Sequence, residues 1–339
     1  MKILLVMDPG IPIPPKGYGG IERIVGLLAI EYKRQGHEVH ILGSAGSYIE
    51  GCVLHSIGED GFPPPKSEMN KALVRAWRFI WKTRNEYDLI HNFGRLLYLL
   101  PVINHKVKKI MSYQREITQK NIEYFTRLPN KNMFFTGCSK DLIDRANVPG
   151  NWTAVHNAID FSLFTLTTTL SEDAPLIFLG RIEKIKGCHT AIKVAKETGN
   201  KLIIAGNISK LPEEIEYFEK EIKPLIDNEQ IVFIGEVNDV QKNEWLGKSK
   251  AMLMPIEWNE PFGIVMIEAM ACGTPVIGFN SGSVNEVIDE GFTGYKVDDI
   301  EGMKKSVNTL NILSRELVRS NAASRFGIHS IATKYLSVK

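Results

Sequence analysis

Two carboxylates and two cations in this chain sit at spacings that could do chemistry. Glu260 and Glu268 lie in EWNEPFGIVMIEAMACGT (257–274), which reads as a short loop feeding one helix. Pro261 suits a first helical turn, Gly263 lets another group approach the backbone, and Gly273 with Pro275 ends the helix. The helix is apolar almost all the way round, so it is expected to be buried and Glu268 to need a partner. On one helix, Glu260 and Glu268 would lie about 12 Å apart at about 1.5 Å per residue. A retaining glycosidase sets its carboxyls about 5–5.5 Å apart, so this is a poor hydrolase pair. It better suits the two ends of an elongated ligand, with an anion between them at the free amides around Gly263 and Ile264. Sugar, phosphate and ribose in a row make such a ligand. The second cluster is GRIEKIKG (180–187), in which Arg181 follows an apolar strand and Lys186 comes five residues later. Two cations at a strand's carboxyl end, beside a helix N-terminus, form a natural diphosphate clamp.

Read whole, EPFGIVMIEAMACGTPVIG followed by SGSVNEVIDEGFTGYKV resembles the E-x7-E signature of the family-4 retaining glycosyltransferases, the glycosyl transferases group 1. GRIEKIKG is similar to the same family's G-R-…-K-G segment. The resemblance implies that Arg181 and Lys186 hold a donor diphosphate, Glu260 the donor sugar and Glu268 the ribose. It places Phe262, Gly263, Ile264 and Val265 along the donor, and Val237 in FIGEVND at the nucleobase. Gly19 and Gly20, in G-G-x-E, resemble the first-domain loop that faces the donor. YDLIHNFG (87–94) is similar to the family's D-x-x-H-x-H segment. His91 matches its first histidine and is a catalytic candidate on that ground; Phe93 replaces the second, which in the family lies near the reacting sugar. A histidine satisfied at a strand end is the other reading of His91, and both stay open. Arg95, Arg115 and Glu116 are polar candidates on the acceptor side.

The elements that must position these residues follow from the apolar pattern. KILLVM, a Pro- and Gly-rich loop, a helix from about Ile21 to Arg34 and a strand Glu38–Leu42 open a βαβ unit. The glycines at 17, 19 and 20 are no dinucleotide fingerprint, because a long Pro-rich loop separates them from the strand and Glu22 takes the third glycine's place. A helix over about 68–85 carries Lys71, Arg75, Arg78, Lys82 and Arg84 with Trp77 and Trp81. Either it lies on a membrane surface, or it is a crossover helix with both tryptophans in the core; the second is preferred. Thr165–Ser171 has linker composition, and strands alternating with helices restart after it. Among these, PEEIEYFEKEIKPLI (212–226) reads as one helix; the tail over 322–339 looks amphipathic and resembles the family's terminal helix, which crosses back to the first domain.

At 339 residues there is room for two domains. With 44% hydrophobic and 24% charged residues the chain reads as soluble and globular. No apolar run approaches the roughly 18 residues of a membrane span, and the start lacks a signal-peptide pattern. Four scattered cysteines suit a reducing cytoplasm and argue against zinc or a disulfide framework. Residues 1–165 carry 21 Lys and Arg against 15 Asp and Glu, and the remainder 20 against 24. A basic first half hints at an anionic acceptor or peripheral contact with the inner face of a membrane; chance variation in solvated charge is the alternative.

The family resemblance implies a GT-B architecture, two doubly wound Rossmann-like α/β domains facing each other across a cleft. An N-terminal domain, 1–165, completed by helix 322–339, would take the acceptor, and a C-terminal domain, 166–321, the donor. The resemblance implies a retaining glycosyltransferase using a nucleotide-diphosphate sugar, UDP-sugar first, and a hydroxyl acceptor. It implies no bound metal, no cofactor and no nucleic-acid partner. A catalytically silent sugar-nucleotide-binding protein, a nucleotide-sugar epimerase and a phosphorylase are the alternatives.

Overall fold

The computed structural model describes residues 1–339 except Lys16, Tyr18 and the side chain of Asn311. It divides into two compact units, Met1–Ala158 with Ile328–Lys339, and Ile159–Gly327.

The first unit runs β1 (Lys2–Val6), α1 (Gly20–Arg34), β2 (Glu38–Ser44), β3 (Val53–Gly58), α2 (Lys66–Thr83), β4 (Leu89–Asn92), β5 (Lys108–Tyr113), α3 (Gln119–Arg127), β6 (Met133–Gly137), α4 (Lys140–Ala146) and β7 (Trp152–Ala154). Its seven strands are all parallel in the order β3-β2-β1-β4-β5-β6-β7. Apolar runs form such strands because helices cover both faces. Leu4, Val6, Ile90 and Met111 of the sheet pack against Ala72, Ala76 and Ile80 of α2. That stripe on α2 leaves Trp81 in solvent, 52% exposed, rather than in the core as its i, i+4 spacing with Trp77 suggested.

The second unit runs β8 (Leu176–Leu179), α5 (Cys188–Glu197), β9 (Leu202–Ala205), α6 (Pro212–Tyr217), β10 (Ile231–Gly235), α7 (Asp239–Lys248), β11 (Ala251–Met254), α8 (Ile264–Ala271), β12 (Val276–Phe279), α9 (Val284–Val287), β13 (Gly294–Val297), α10 (Ile300–Val307) and α11 (Arg315–Phe326). Its six parallel strands follow the order β10-β9-β8-β11-β12-β13. In each sheet the strand order reverses once, at β1/β4 and at β8/β11. Open parallel sheets bind ligands beyond the carboxyl ends of the strands at such a switch point.

Three sequence expectations are corrected. The helix expected over 212–226 ends as α6 at Tyr217 and continues as a π turn and a 3-10 turn, because Pro224 cannot donate to a helical ladder. Thr165–Ser171 begins bound to the second unit rather than free as a linker. The Thr165 amide donates to Asn243 Oδ1 (3.0 Å), the Thr167 amide to Cys272 O (3.1 Å), and buried Arg315 donates to the Thr167 carbonyl. The tail is two helices, not one over 322–339. Gly327 is extended (ψ 137°), so α11 closes in the second unit and α12 (Ile328–Ser337) belongs to the first. There α12 packs along α1, with His329 Nδ1 2.7 Å from Glu31 Oε1 and Lys108 Nζ donating to Leu336 O (2.9 Å).

Candidate functional site

The residues with chemistry in the second unit gather at its switch point. Arg181 lies just past β8, where Nη1 pairs with Glu183 Oε1 at 2.7 Å and the guanidinium stays 47% exposed. A single 3-10 turn, Lys184–Lys186, leads to Gly187, which is left-handed (φ +73°). A Cβ there would sit 2.0 Å from Pro255 O, so only glycine lets this turn press against the chain leaving β11. That contact carries Lys186 to Glu260: Nζ lies 2.6 Å from Oε2, and both side chains are mostly buried. Trp258 Nε1 donates to the same oxygen at 3.1 Å, and the ammonium lies 5.0 Å from the Trp258 ring centroid.

Glu260 is held by a later loop as well. Gly282 (φ +56°) approaches so closely that a Cβ would fall 2.6–2.7 Å from the Glu260 amide nitrogen and carbonyl oxygen. The Ser283 amide donates to Glu260 O at 3.0 Å, and Ser281 Oγ donates to Trp258 O at 3.0 Å. Ser283 Oγ is buried without a hydrogen-bond partner.

The helix that follows begins later than its sequence suggests. Gly263 is a left-handed N-cap (φ 72°, ψ 67°), so Pro261 stands before the helix and Glu260 is not on it. The 12 Å separation expected for two helical glutamates therefore loses its premise. No side chain caps α8, and among the described residues the Ile264 and Val265 amides make no backbone hydrogen bond. Such open amides favour an anion. Gly263, Ile264 and Val265 are half-buried, whereas Phe262 is buried, its ring 5.9 Å from that of Phe326. Glu268, on the second turn, has the partner its burial demands: Lys242 Nζ at 2.6 Å, itself 3.0 Å from Asp239 Oδ1. Burial works against the Lys242 charge, but Glu268 and Asp239 outweigh it and hold its pKa above the ordinary lysine value. Val237 stands half-buried just past β10.

In the first unit Gly19 caps α1 (φ +146°) with Glu22 Oε2 about 3.0 Å from where its Cβ would be, and Gly20 has open space around it. His91 is on the central strand β4 and fully buried. Nε2 is 2.7 Å from Ser112 Oγ, and Phe93 and Tyr335 pack at centroid distances of 4.3 and 4.7 Å. Burial, then nearby Lys108, pushes its pKa down to about 3. A neutral imidazole enclosed in this way has no face for a substrate, so the geometry favours the structural reading of His91.

A cavity of about 470 Å³ lies past β4 and β5, lined by Phe93, Arg95, Gln114, Arg115 and Tyr124 among others. Asp8, just past β1, belongs to the same end of the sheet and was not singled out from sequence. Its position directly after a first parallel strand was the available signal. Among the described residues no group of three or more His, Cys, Asp and Glu could hold a metal, and no helix is long and apolar enough to cross a membrane.

Residues 168–319 match the family model described as Glycosyl transferases group 1. The N-acetyl-alpha-D-glucosaminyl L-malate synthase of Bacillus anthracis is 31% identical over 156 residues, covering 44% of this chain and 39% of that protein. The chain spans about half the length, or less, of the first curated relatives it matches. Two solved structures share the fold along almost the whole chain. AviGT4, a glycosyltransferase involved in avilamycin A biosynthesis, aligns with a TM-score of 0.73 at 22% identity over 99% of this chain and 96% of its own. Anabaena HepE in complex with UDP and glucose aligns with a TM-score of 0.73 at 16% identity over 99% and 98%.

Proposed function

We propose that this chain, a member of the group 1 glycosyltransferases with the GT-B fold, moves a sugar from a nucleotide-diphosphate sugar to a hydroxyl acceptor. The observation that carries this is the meeting of Lys186 and Glu260 at the β8/β11 switch point, 2.6 Å apart, beside exposed Arg181 and the open N-terminus of α8. As the bond from the sugar's anomeric carbon to the diphosphate breaks, its electron pair passes to the leaving phosphate oxygen. Arg181, Lys186 and the amides of Ile264 and Val265 would neutralise that charge. The acceptor oxygen forms the new bond, and its proton goes to the departing phosphate. Glu260 would exchange its hold on Lys186 for the donor sugar's hydroxyls, and Glu268 would bind the ribose.

UDP-sugar is the donor we favour, supported by the UDP and glucose in the HepE complex; retention of configuration rests on the family resemblance. The outward stripe of α2, with Lys71, Val74, Arg75, Arg78, Trp81 and Lys82 all exposed, supports peripheral contact with an anionic lipid surface.

A thermal-shift screen against UDP, GDP, ADP and the corresponding nucleotide sugars, with and without Mg²⁺, tests the donor reading. A rise with UDP and its sugars is expected. No shift with any nucleotide would sink it, and binding without turnover on any acceptor would favour a silent sugar-nucleotide-binding protein.

A further inference from the structure

We infer that the cavity past β4 and β5 of the first unit binds a hydroxylated organic anion, a carboxylate or phosphate, through Arg95 and Arg115. That this anion is the sugar acceptor rests on the proposed function; the anion site itself does not.

The cavity's place is the first reason. The ends of β1, β4 and β5 are the switch-point end of the first sheet, where an open parallel sheet binds ligands. A volume of about 470 Å³ is in the range that holds small organic molecules.

The charges are the second. Arg95 Nε lies 3.9 Å and Arg115 Nη2 3.6 Å from the two oxygens of Asp8. Charge-assisted hydrogen bonds close to about 2.7–2.9 Å, so both guanidiniums stand near this carboxylate without a close bond to it. Tyr98 already donates to Asp8 Oδ1 at 2.8 Å. Of the other acids here, Glu116 is mostly exposed and lies 3.7 Å from Arg145. Glu22 is buried, which raises its pKa above the ordinary carboxyl value; Asp8 adds to the rise and Arg115 opposes it. Each guanidinium has five N–H donors in a fixed fork that matches a carboxylate or phosphate, and both side chains are more than a third exposed.

The remaining wall defines the rest of the ligand. Phe93, Met111 and Phe125 give an apolar lining, and Tyr124 adds an exposed ring. Gln114 lines the same cavity, and its Oε1 is buried without a donor. A ligand hydroxyl would supply that donor after a small turn of the amide. The fitting molecule is therefore a compact organic body with an anionic group at one end and at least one hydroxyl.

The test is calorimetric titration of the full chain, at fixed ionic strength, with two matched pairs. They are 4-hydroxybenzoate with its methyl ester, and glycerol 3-phosphate with glycerol; UDP is titrated in parallel. At least one anion is expected to bind ten-fold or more tightly than its neutral counterpart, and which one binds separates carboxylate from phosphate. Arg115→Gln and Arg95→Gln should each weaken that binding about ten-fold and leave the UDP titration unchanged. Arg115→Lys, which keeps the charge without the fork, should recover part of the loss. Equal binding of the neutral partner, no binding of either anion, or indifference to both glutamine variants would overturn the inference. Anion binding intact with no UDP binding would sink the glycosyltransferase reading and leave this site standing.

Discussion

Lys186 and Glu260, 74 residues apart in sequence, form an ion pair at 2.6 Å with the Trp258 indole beside it. Neither local structure nor helix periodicity brings them together. The contact depends on two loops leaving adjacent parallel strands, β8 and β11, and on Gly187 letting one press against the other.

Replacing Lys186 with Ala should weaken UDP binding by about 10- to 150-fold, the equivalent of a charge-assisted hydrogen bond of about 1.5–3 kcal/mol. Calorimetric titration of both proteins reads this directly. Unchanged affinity would remove Lys186 from the site.

Glu268 and Lys242 should respond unequally to mutation. Glu268→Gln keeps an acceptor for Lys242, which also retains Asp239, so it should weaken UDP binding with little change in melting temperature. Lys242→Met removes the paired cation from a buried carboxylate, and removing one partner of a buried pair costs about 3–5 kcal/mol. Chemical denaturation of the two variants checks this; a larger loss for Glu268→Gln would make that carboxylate structural.

Gly187→Ala should destabilise the second unit. A left-handed non-glycine residue costs about 1–3 kcal/mol, and the added methyl would collide with Pro255 O. A melting temperature equal to that of the parent would show that the β8–α5 turn yields freely.

His91 gives stability a defined pH dependence. Its folded pKa, about 3, lies below the ordinary histidine value of about 6.5, so the unfolded chain binds the extra proton between them. The contribution is full above about pH 6.5 and is lost as pH falls toward 3, at up to about 1.4 kcal/mol per pH unit. Urea melts at pH 7 and 4.5 should show a smaller difference for His91→Gln than for the parent. An equal difference would assign the acid sensitivity to other groups.

Trp81→Ala, and separately Arg75→Gln with Arg78→Gln, should reduce co-sedimentation with phosphatidylglycerol vesicles while leaving neutral phosphatidylcholine vesicles unbound. Equal recovery of parent and variants from both lipids would end the peripheral-contact reading of α2.

Both parallel sheets and the paired motif segments were legible in sequence, because buried strands write apolar runs and glycine marks the tight turns between them. Glu268 was legible as a buried acid needing a partner, but Lys242 was not, since it lies 26 residues upstream on α7. Phe262 reads as a donor contact because it sits inside the signature; that its ring packs against Phe326 was not legible there. The boundaries slipped where tertiary contacts overrode composition. Thr165–Thr167 is polar like a linker, yet Asn243, Cys272 and Arg315 fasten it down. Asp8 escaped notice because a lone aspartate after a strand has no motif around it.

Gly282 has a consequence for protein engineering. The backbone around Glu260 takes its shape partly from a residue 22 positions downstream that contributes no side chain. The signature segment is therefore not a portable cassette: transplanting 257–274 into a related scaffold would carry both glutamates but not the mould that sets one of them. A working transplant would need 281–283 as well, and random libraries confined to the signature would explore a loop whose path is fixed from outside.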